Sequence, residues 1–323
     1  MVVPEAGSAG APGSISVAVA TCGRPDSLAR CLKAIARQTV VPSEVIVVEQ
    51  APSAASLEVV ATCGLPNLRY FEQEKLGLSA SRNAALLHAG SQLLAVTDDD
   101  CAPEPGWLAA MLEAFAGIDR IAACTGAIHP PPGDPPPGMY GLSSRTSPVP
   151  RLFAERAVPW VVGSGGNFAA RVAELRAIGG WDERLGTGSP GKAGEDCDVI
   201  DRILAHGGAI RYEAGAVVRH DFQSRARRKE TRSTYAFGIG AMCGLRLARR
   251  DRFGWAMLRN YVRVHLRGLA RALRGRLWED AAERIASLRA ILPGLRYGLR
   301  VPASAPRAGA ARAVALACGP PTG

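Results

Sequence analysis

The segment SQLLAVTDDDCAPEPGW, residues 91–107, joins an apolar run directly to three carboxylates, Asp98, Asp99 and Asp100. The run Leu93-Leu94-Ala95-Val96 is short, unbroken and flanked by turn residues, the pattern of a buried strand. Open α/β sheets bind ligands beyond the carboxyl ends of their strands, so this strand carries dense negative charge to a rim where a ligand would sit. Adjacent carboxylates repel one another unless a cation lies among them. Mg2+ and Mn2+ favour oxygen ligands and are commonly held by one or two carboxylates plus substrate phosphates. The triplet therefore reads either as a metal–diphosphate site or as a solvated acidic turn ahead of a helix. The flanking sequence separates the two.

Upstream, residues 76–83 (LGLSASRN) open a helix that runs through His88 into the acidic strand. Residues 15–20 (ISVAVA) form a β-branched run ending in the turn TCGRP. Asp26 or Ser27 caps the next helix, whose Leu28, Cys31, Leu32 and Ile35 recur at helical spacing. Pro42 precedes a second buried strand, EVIVVE, residues 44–49. Strand, helix and strand in so short a span make a βαβ unit with parallel strands. A weaker helix at 54–63 and a short strand at 68–71 follow, so the alternation predicts a mostly parallel, doubly wound sheet with helices on both faces. The first turn lacks GxGxxG, no GxxxxGK[ST] occurs, and the glycine-rich start of pyrophosphorylase-type nucleotidyltransferases is missing. Phosphate must be held another way, and the acidic triplet offers one.

Downstream, a helix at 108–115 leads to an apolar strand at 121–128. A segment with eight prolines between 130 and 150 excludes regular helix and interior strand, leaving a lid, a binding loop or a disordered insertion. The small-residue passage VGSGGNF (162–168) precedes a helix at 171–178, and GGWDE then turns the chain. GTGSPGKAG (186–194) reads as a flexible loop delivering Glu195, Asp196 and Asp198 to the start of a helix that ends near His206. The helix dipole alone favours acids there, and Asp198 needs no other explanation. A strand at 209–218 ends in Arg219-His220-Asp221.

The 323 residues, 47% hydrophobic and 21% charged, suit a globular enzyme of one large or two small domains. Residues 1–13 read as a flexible leader without signal-peptide character. Eight cysteines without a CxxC pair argue against zinc and disulfide frameworks and for a reducing cytoplasm. Charge is uneven: residues 222–323 hold 21 Lys+Arg against 5 Asp+Glu, while the preceding residues are slightly acidic. Such a tail seeks an anionic partner. Residues 233–245 are uncharged but too few and too glycine-rich to span a membrane. Beyond them Leu258, Val262, Leu266, Leu269 and Leu273 share a helical stripe, with Arg259, Arg263, Arg267 and Arg271 beside it. That helix either lies in an anionic membrane interface or packs on the catalytic body with its arginines in water. Nucleic acid is not expected, since the aromatic interleaving and motifs that would bind it are missing.

Taken in order, SVAVATCGRPDSLARCL, EVIVVEQ, GLSASRN, TDDD, GGNFAARVAELRAIGGWDERL, GEDCD and VVRH resemble the family 2 glycosyltransferases, over roughly residues 14–221. The resemblance implies a GT-A fold over 14–222, with a nucleotide-sugar half at 14–128, a Pro-rich loop at 129–150 and an acceptor half at 150–222. A basic α-helical extension (223–300) and a flexible tail (301–323) follow. It implies a nucleotide-sugar donor, a glycan or lipid-linked acceptor, and inversion at the anomeric carbon. By the same resemblance Asp98 and Asp100 hold Mn2+ or Mg2+, His220 completes the metal site, and Asp99 positions the ribose or sugar. Thr21 and Arg24 approach the nucleotide, Arg82 and Asn83 contact the donor, and Asp196 is the general base with Glu195 beside it. Glu49 stands where the family commonly has an Asp that reads the base, one methylene longer here. The implied setting is the cytoplasm, with the inner face of the plasma membrane as an attachment site for a cell-envelope glycan or exopolysaccharide enzyme. The competing readings are a non-catalytic carbohydrate- or membrane-binding relative and a nucleotidyltransferase on a similar sheet.

Overall fold

The computed structural model describes residues 13–74, 77–116, 120–302 and 312–314. The expected leader and terminal tail fall almost wholly outside them. Four parallel strands build the first half of the sheet: β1 (Ile15–Thr21), β2 (Glu44–Glu49), β3 (Leu68–Glu72) and β4 (Leu93–Asp98), in the spatial order β3-β2-β1-β4. Helices α1 (Pro25–Ile35), α2 (Ala54–Thr62) and α3 (Leu78–His88) connect them. Side chains alternate along a strand, so each strand feeds two cores. Val17 and Val19 pack with Leu28 and Leu32 of α1, whereas Ala18 and Ile46 pack with Ala84 and Ala85 of α3. Register aligns Thr21 with Glu49 and Ala20 with Asp98, so the carboxyl ends of three strands finish at one edge.

The second half follows: β5 (Cys101–Pro103), α4 (Trp107–Phe115), β6 (Ile121–His129), β7 (Met139–Tyr140), β8 (Arg151–Phe153), β9 (Asn167–Arg171), α5 (Val172–Ala177), α6 (Glu195–Ala205) and β10 (Ala209–His220). The sheet continues from β4 through β9, β6 and β10 to β5, and β9 runs antiparallel to both its neighbours. The sequence shows no strand at 167–171, because NFAAR lacks the β-branched pattern. What holds it is a polar plug. Buried Asn167 accepts from the Trp107 indole (2.8 Å) and donates to the carbonyls of Ala127 and Ala216 (2.8 Å each), beside the irregular stretch of β10 between Glu213 and Val217. The Pro-rich segment is pinned along the sheet, where Tyr212 donates to the carbonyls of Arg145 (2.6 Å) and Ser147 (2.7 Å).

After β11 (Gln223–Ser224) come three long helices, α7 (Arg225–Ala248), α8 (Phe253–Arg274) and α9 (Trp278–Arg300). A short strand, β12 (Arg312–Val314), then pairs antiparallel with β3 within the stretch expected to be a flexible tail. Among the described residues, no helix is long and apolar enough to cross a membrane. The glycines of residues 233–245 serve packing instead. A Cβ on Gly240 would lie 2.2 Å from the Ile291 carbonyl, and one on Gly298 would lie 2.0 Å from the Ala241 carbonyl. Gly244 and Gly294 are equally tight, so α7 and α9 cross backbone against backbone through two glycines from each. Buried Arg246 then ties α7 to α6 by ion pairs to Asp198 and Asp201 (2.9 Å each). Asp198 thus has a structural partner as well as a helix dipole.

Because backbone cannot yield as a side chain does, Gly298→Ala should separate α7 from α9 and cost about 1–3 kcal/mol. A thermal melt checks this against Gly207→Ala, whose added Cβ would meet nothing within 4 Å although its φ of +86° adds some strain.

Candidate active site

A cavity of about 480 Å³ opens at the edge where β1, β2 and β4 end. Asp98 and Asp100 line it from one side and Glu195 and Asp196, at the start of α6, from another. Thr21, Arg24, Arg82 and His220 also reach it, so most of the residues singled out from the sequence converge on one space.

Two arginines hold the acidic triplet. Arg24 pairs with Asp99 and reaches Asp100 at 3.1 Å, while Thr21 donates to Asp99 at 2.6 Å. Arg82, almost fully buried, donates to Asp98 (2.9 Å) and to Glu195 (3.1 Å). Burial is the largest influence on the Asp99 carboxyl and outweighs the opposing pull of Arg24, raising its pKa to about 7. Burial, and next the charge of Asp196, also push Glu195 upward. Asp196 accepts from the Gly165 amide at 3.1 Å. This close approach requires glycine: a Cβ on Gly165 would stand 2.7 Å from the Asp196 Cβ, and one on Gly166 2.8 Å from Asp98 Oδ2.

Asp100, Cys101 and His220 bring possible ligand atoms within 4.8 Å of one another. His220 Nε2 lies 3.6 Å from Asp100, and its Nδ1 is 2.8 Å from the Asp221 carbonyl, a contact that aims the other nitrogen at the carboxylates. Burial, then the charges of Asp98 and Asp100, push the Cys101 thiol well above its ordinary value. Among the described residues this group therefore offers one carboxylate and one imidazole, donors that suit a divalent cation such as Mn2+, while Asp98 lies outside the group with one oxygen held by Arg82 at 2.9 Å.

Three of the expected residues sit apart from the cavity lining. Asp99 is enclosed behind Thr21 and Arg24. Glu49 is fully buried and accepts the amides of Gly23 and Ala51 (2.9 Å each), bracing the loops after β1 and β2. Asn83 turns away to bond the Trp181 backbone (2.7 and 2.9 Å) and Glu183 (2.8 Å), holding the GGWDE turn. Other lining residues were not legible as such. Gln50 bonds both amide and carbonyl of Gly77 and thereby fixes the start of α3. The loop at 186–194 is tethered there too, through the Leu78 amide to the Thr187 carbonyl (2.8 Å). On α7, Arg227, Glu230, Thr231, Thr234 and Tyr235 form a stripe facing the cavity. Their i, i+3, i+4, i+7, i+8 spacing is visible in the sequence, but nothing there says which surface it meets.

Residues 16–172 match the sequence profile described as Glycosyl transferase family 2. Over this stretch, just under half of the chain, the sequence is similar to that family. The chain is also 27% identical over 177 residues to "Pre-mycofactocin glycosyltransferase" from two strains of Mycobacterium tuberculosis, a match covering 53% of this chain and 35% of each relative. It thus corresponds to about a third of the length of those curated relatives. Among solved structures it is similar to a mannosyltransferase, PcManGT, from Pyrobaculum calidifontis in complex with GDP-Man and Mn2+ (TM-score 0.59, 18% identity, 86% of both chains). It is also similar to GalNAc-T7 with UDP, GalNAc and Mn2+ (TM-score 0.51, 17% identity, 70% of this chain and 47% of that one). The α/β sheet with its C-terminal helices is therefore a GT-A fold.

A carboxyl held protonated by burial stabilises the fold fully below its unfolded value of 3.8, and this contribution is lost as pH rises to about 7. The metal-free chain should accordingly melt higher at about pH 5 than at about pH 8, and Asp99→Asn should reduce that difference, leaving the part contributed by Glu195, which burial also pushes upward. Differential scanning calorimetry across the range measures both.

Proposed function

We propose that this chain is a metal-assisted, inverting glycosyltransferase that moves a sugar from a nucleotide-diphosphate donor to a hydroxyl of a glycan or lipid-linked glycan. The reading is carried by one observation: the acidic end of β4 and the acidic start of α6 open into the same cavity. A departing nucleoside diphosphate gathers negative charge, while the attacking hydroxyl must lose a proton. The two events call for a positive site and a basic site a short distance apart.

Asp98, Asp100 and His220 would hold Mn2+ or Mg2+. When bound, such an ion supplies charge to the leaving diphosphate. Arg24 and Arg82, each already in contact with the triplet, keep the carboxylates compatible in its absence and orient them toward the cavity. Thr21 and Arg24 lie where the loop after β1 would meet the nucleotide, and Glu49 holds that loop in shape through the Gly23 amide. Asp196 is the general base, with one oxygen accepting from Gly165 and the side chain exposed to the cavity. Glu195, engaged by Arg82 and favouring its neutral form, leaves Asp196 as the carboxylate suited to take the proton. The polar stripe of α7 offers hydroxyls and a carboxylate to an acceptor sugar. Attachment of the basic helices to the inner face of a membrane would bring a lipid-linked acceptor to this cavity. A non-catalytic relative would have no use for a base facing a diphosphate site.

Asp196→Asn should lower sugar transfer by roughly 100-fold or more while nucleotide-sugar binding, read by calorimetry, stays near the native value. Full transfer by that variant would remove Asp196 from the role. Likewise, His220→Ala should raise the Mn2+ concentration needed for half-maximal transfer, and an unchanged requirement would take His220 out of the metal set. Release of pyrophosphate rather than sugar transfer would point to nucleotidyl chemistry.

A further inference from the structure

The basic helices bury one side and leave an unusual surface on the other. On α9, Trp278, Ile285, Leu292 and Leu299 recur every seven residues and are 66%, 37%, 49% and 48% exposed. Seven residues are close to two helical turns, so the four side chains make one line about 31 Å long on the outside of the helix. Arg289, Arg296 and Arg300 lie beside it and are exposed. The acids of this helix turn elsewhere: Glu279 and Glu283 pair with Arg225 and Arg232 of α7. On α8, Met257, Gly268 and Ala272 face inward, whereas Trp255, Leu266 and Leu273 are 55%, 51% and 45% exposed. Arg259, Arg263, Arg267, Arg271 and Arg274 are exposed next to them, and the helix contains no Asp or Glu.

Exposed leucines cost little singly, but a line of them flanked by arginines beyond the first turn, where Glu279 and Asp280 face arginines of α7, marks a surface suited to a partner. We infer that the outer faces of α8 and α9 dock this chain on an anionic lipid surface. Arginine heads would meet lipid phosphates while the leucines and isoleucine enter the acyl boundary, and indoles at Trp255 and Trp278 sit well at the headgroup level. Charge selects this occupant over a second copy of the chain, since two faces of the same arginine-rich sign would repel. On this proposal both readings of the basic extension hold together, with one side of the helices packed on the body and the other side meeting lipid. The inference deepens the lipid-linked acceptor reading, yet its test needs no turnover, so either can fail without the other.

The experiment is flotation of the full chain with vesicles of phosphatidylcholine, with and without one-third phosphatidylglycerol, at about 0.1 M salt. The chain should float with the anionic vesicles and stay below with the neutral ones. Each arginine held near such a surface adds roughly fivefold in partition, so Arg289→Gln/Arg296→Gln should reduce binding by an order of magnitude or more. Leu292→Gln/Leu299→Gln, at exposed positions and checked for an unchanged melt, should lose the part of binding that survives higher salt. A wild-type chain that stays at the bottom, or two variants that float like wild type, overturns the proposal. So does a stable dimer in sedimentation equilibrium that the leucine variant dissolves, which would make a second copy the occupant.

Discussion

Arg82 sits in the interior with its guanidinium between Asp98 at the end of β4 and Glu195 at the start of α6. Those carboxylates are 97 residues apart in sequence and belong to the two halves of the domain. Burying several like charges together is prohibitive unless a fixed cation lies among them. The planar fork of arginine satisfies two partners at once, which a lysine ammonium does less well. The site is therefore assembled around a cation supplied by the chain itself. Arg24 repeats the device on the outer side of the triplet, with Asp99 as its buried counterpart.

This arrangement explains how like charges remain close in a folded protein and why glycines crowd around them. Gly165 and Gly166 leave no side chain between the β4 carboxylates and Asp196, so charges from the two halves meet across backbone rather than across packing. The same logic reappears at α7 and α9, where two glycines on each helix permit backbone contact. In both places a glycine-rich stretch that reads as loop or weak membrane segment is in fact a point of closest approach. Such an approach depends on what lies opposite, which is information the local sequence does not contain.

Other parts of the molecule were legible for equally physical reasons. The parallel strands β1, β2 and β4 are buried on both faces, so they appear as unbroken apolar runs, and their ends carry the polar residues that the rim needs. Asp98 and Asp100 could be picked out because an acidic cluster at a strand end interrupts that pattern, whereas Asp196 and His220 stood out only through the family resemblance, since a helix dipole and an ordinary structural histidine explain them locally. Asn83 and Glu49 were legible as polar residues at the right ends, but not as braces that hold a turn and two loops. The strand β9 was missed because its alanines carry no β signal and its anchor, Asn167, works through partners on α4, β6 and β10. The lining stripe of α7 lay in plain view as a helical repeat, yet its facing surface is set by Arg246 reaching Asp198 and Asp201.

That last tie gives the C-terminal helices a position in the site as well as at its back. One face of α7 carries Thr231, Thr234 and Tyr235 into the cavity, while Gly240 and Gly244 on the same helix seat α9. A rigid helix anchored at both ends cannot move its cavity face independently of the helix packed behind it. Any surface that α9 presents outward is thus held in fixed geometry to the carboxylate proposed to take the proton. The short path from α9 through glycine contacts to α7, and from Arg246 to α6, would make the proposed docking and acceptor placement parts of one construction rather than separate properties of a tail.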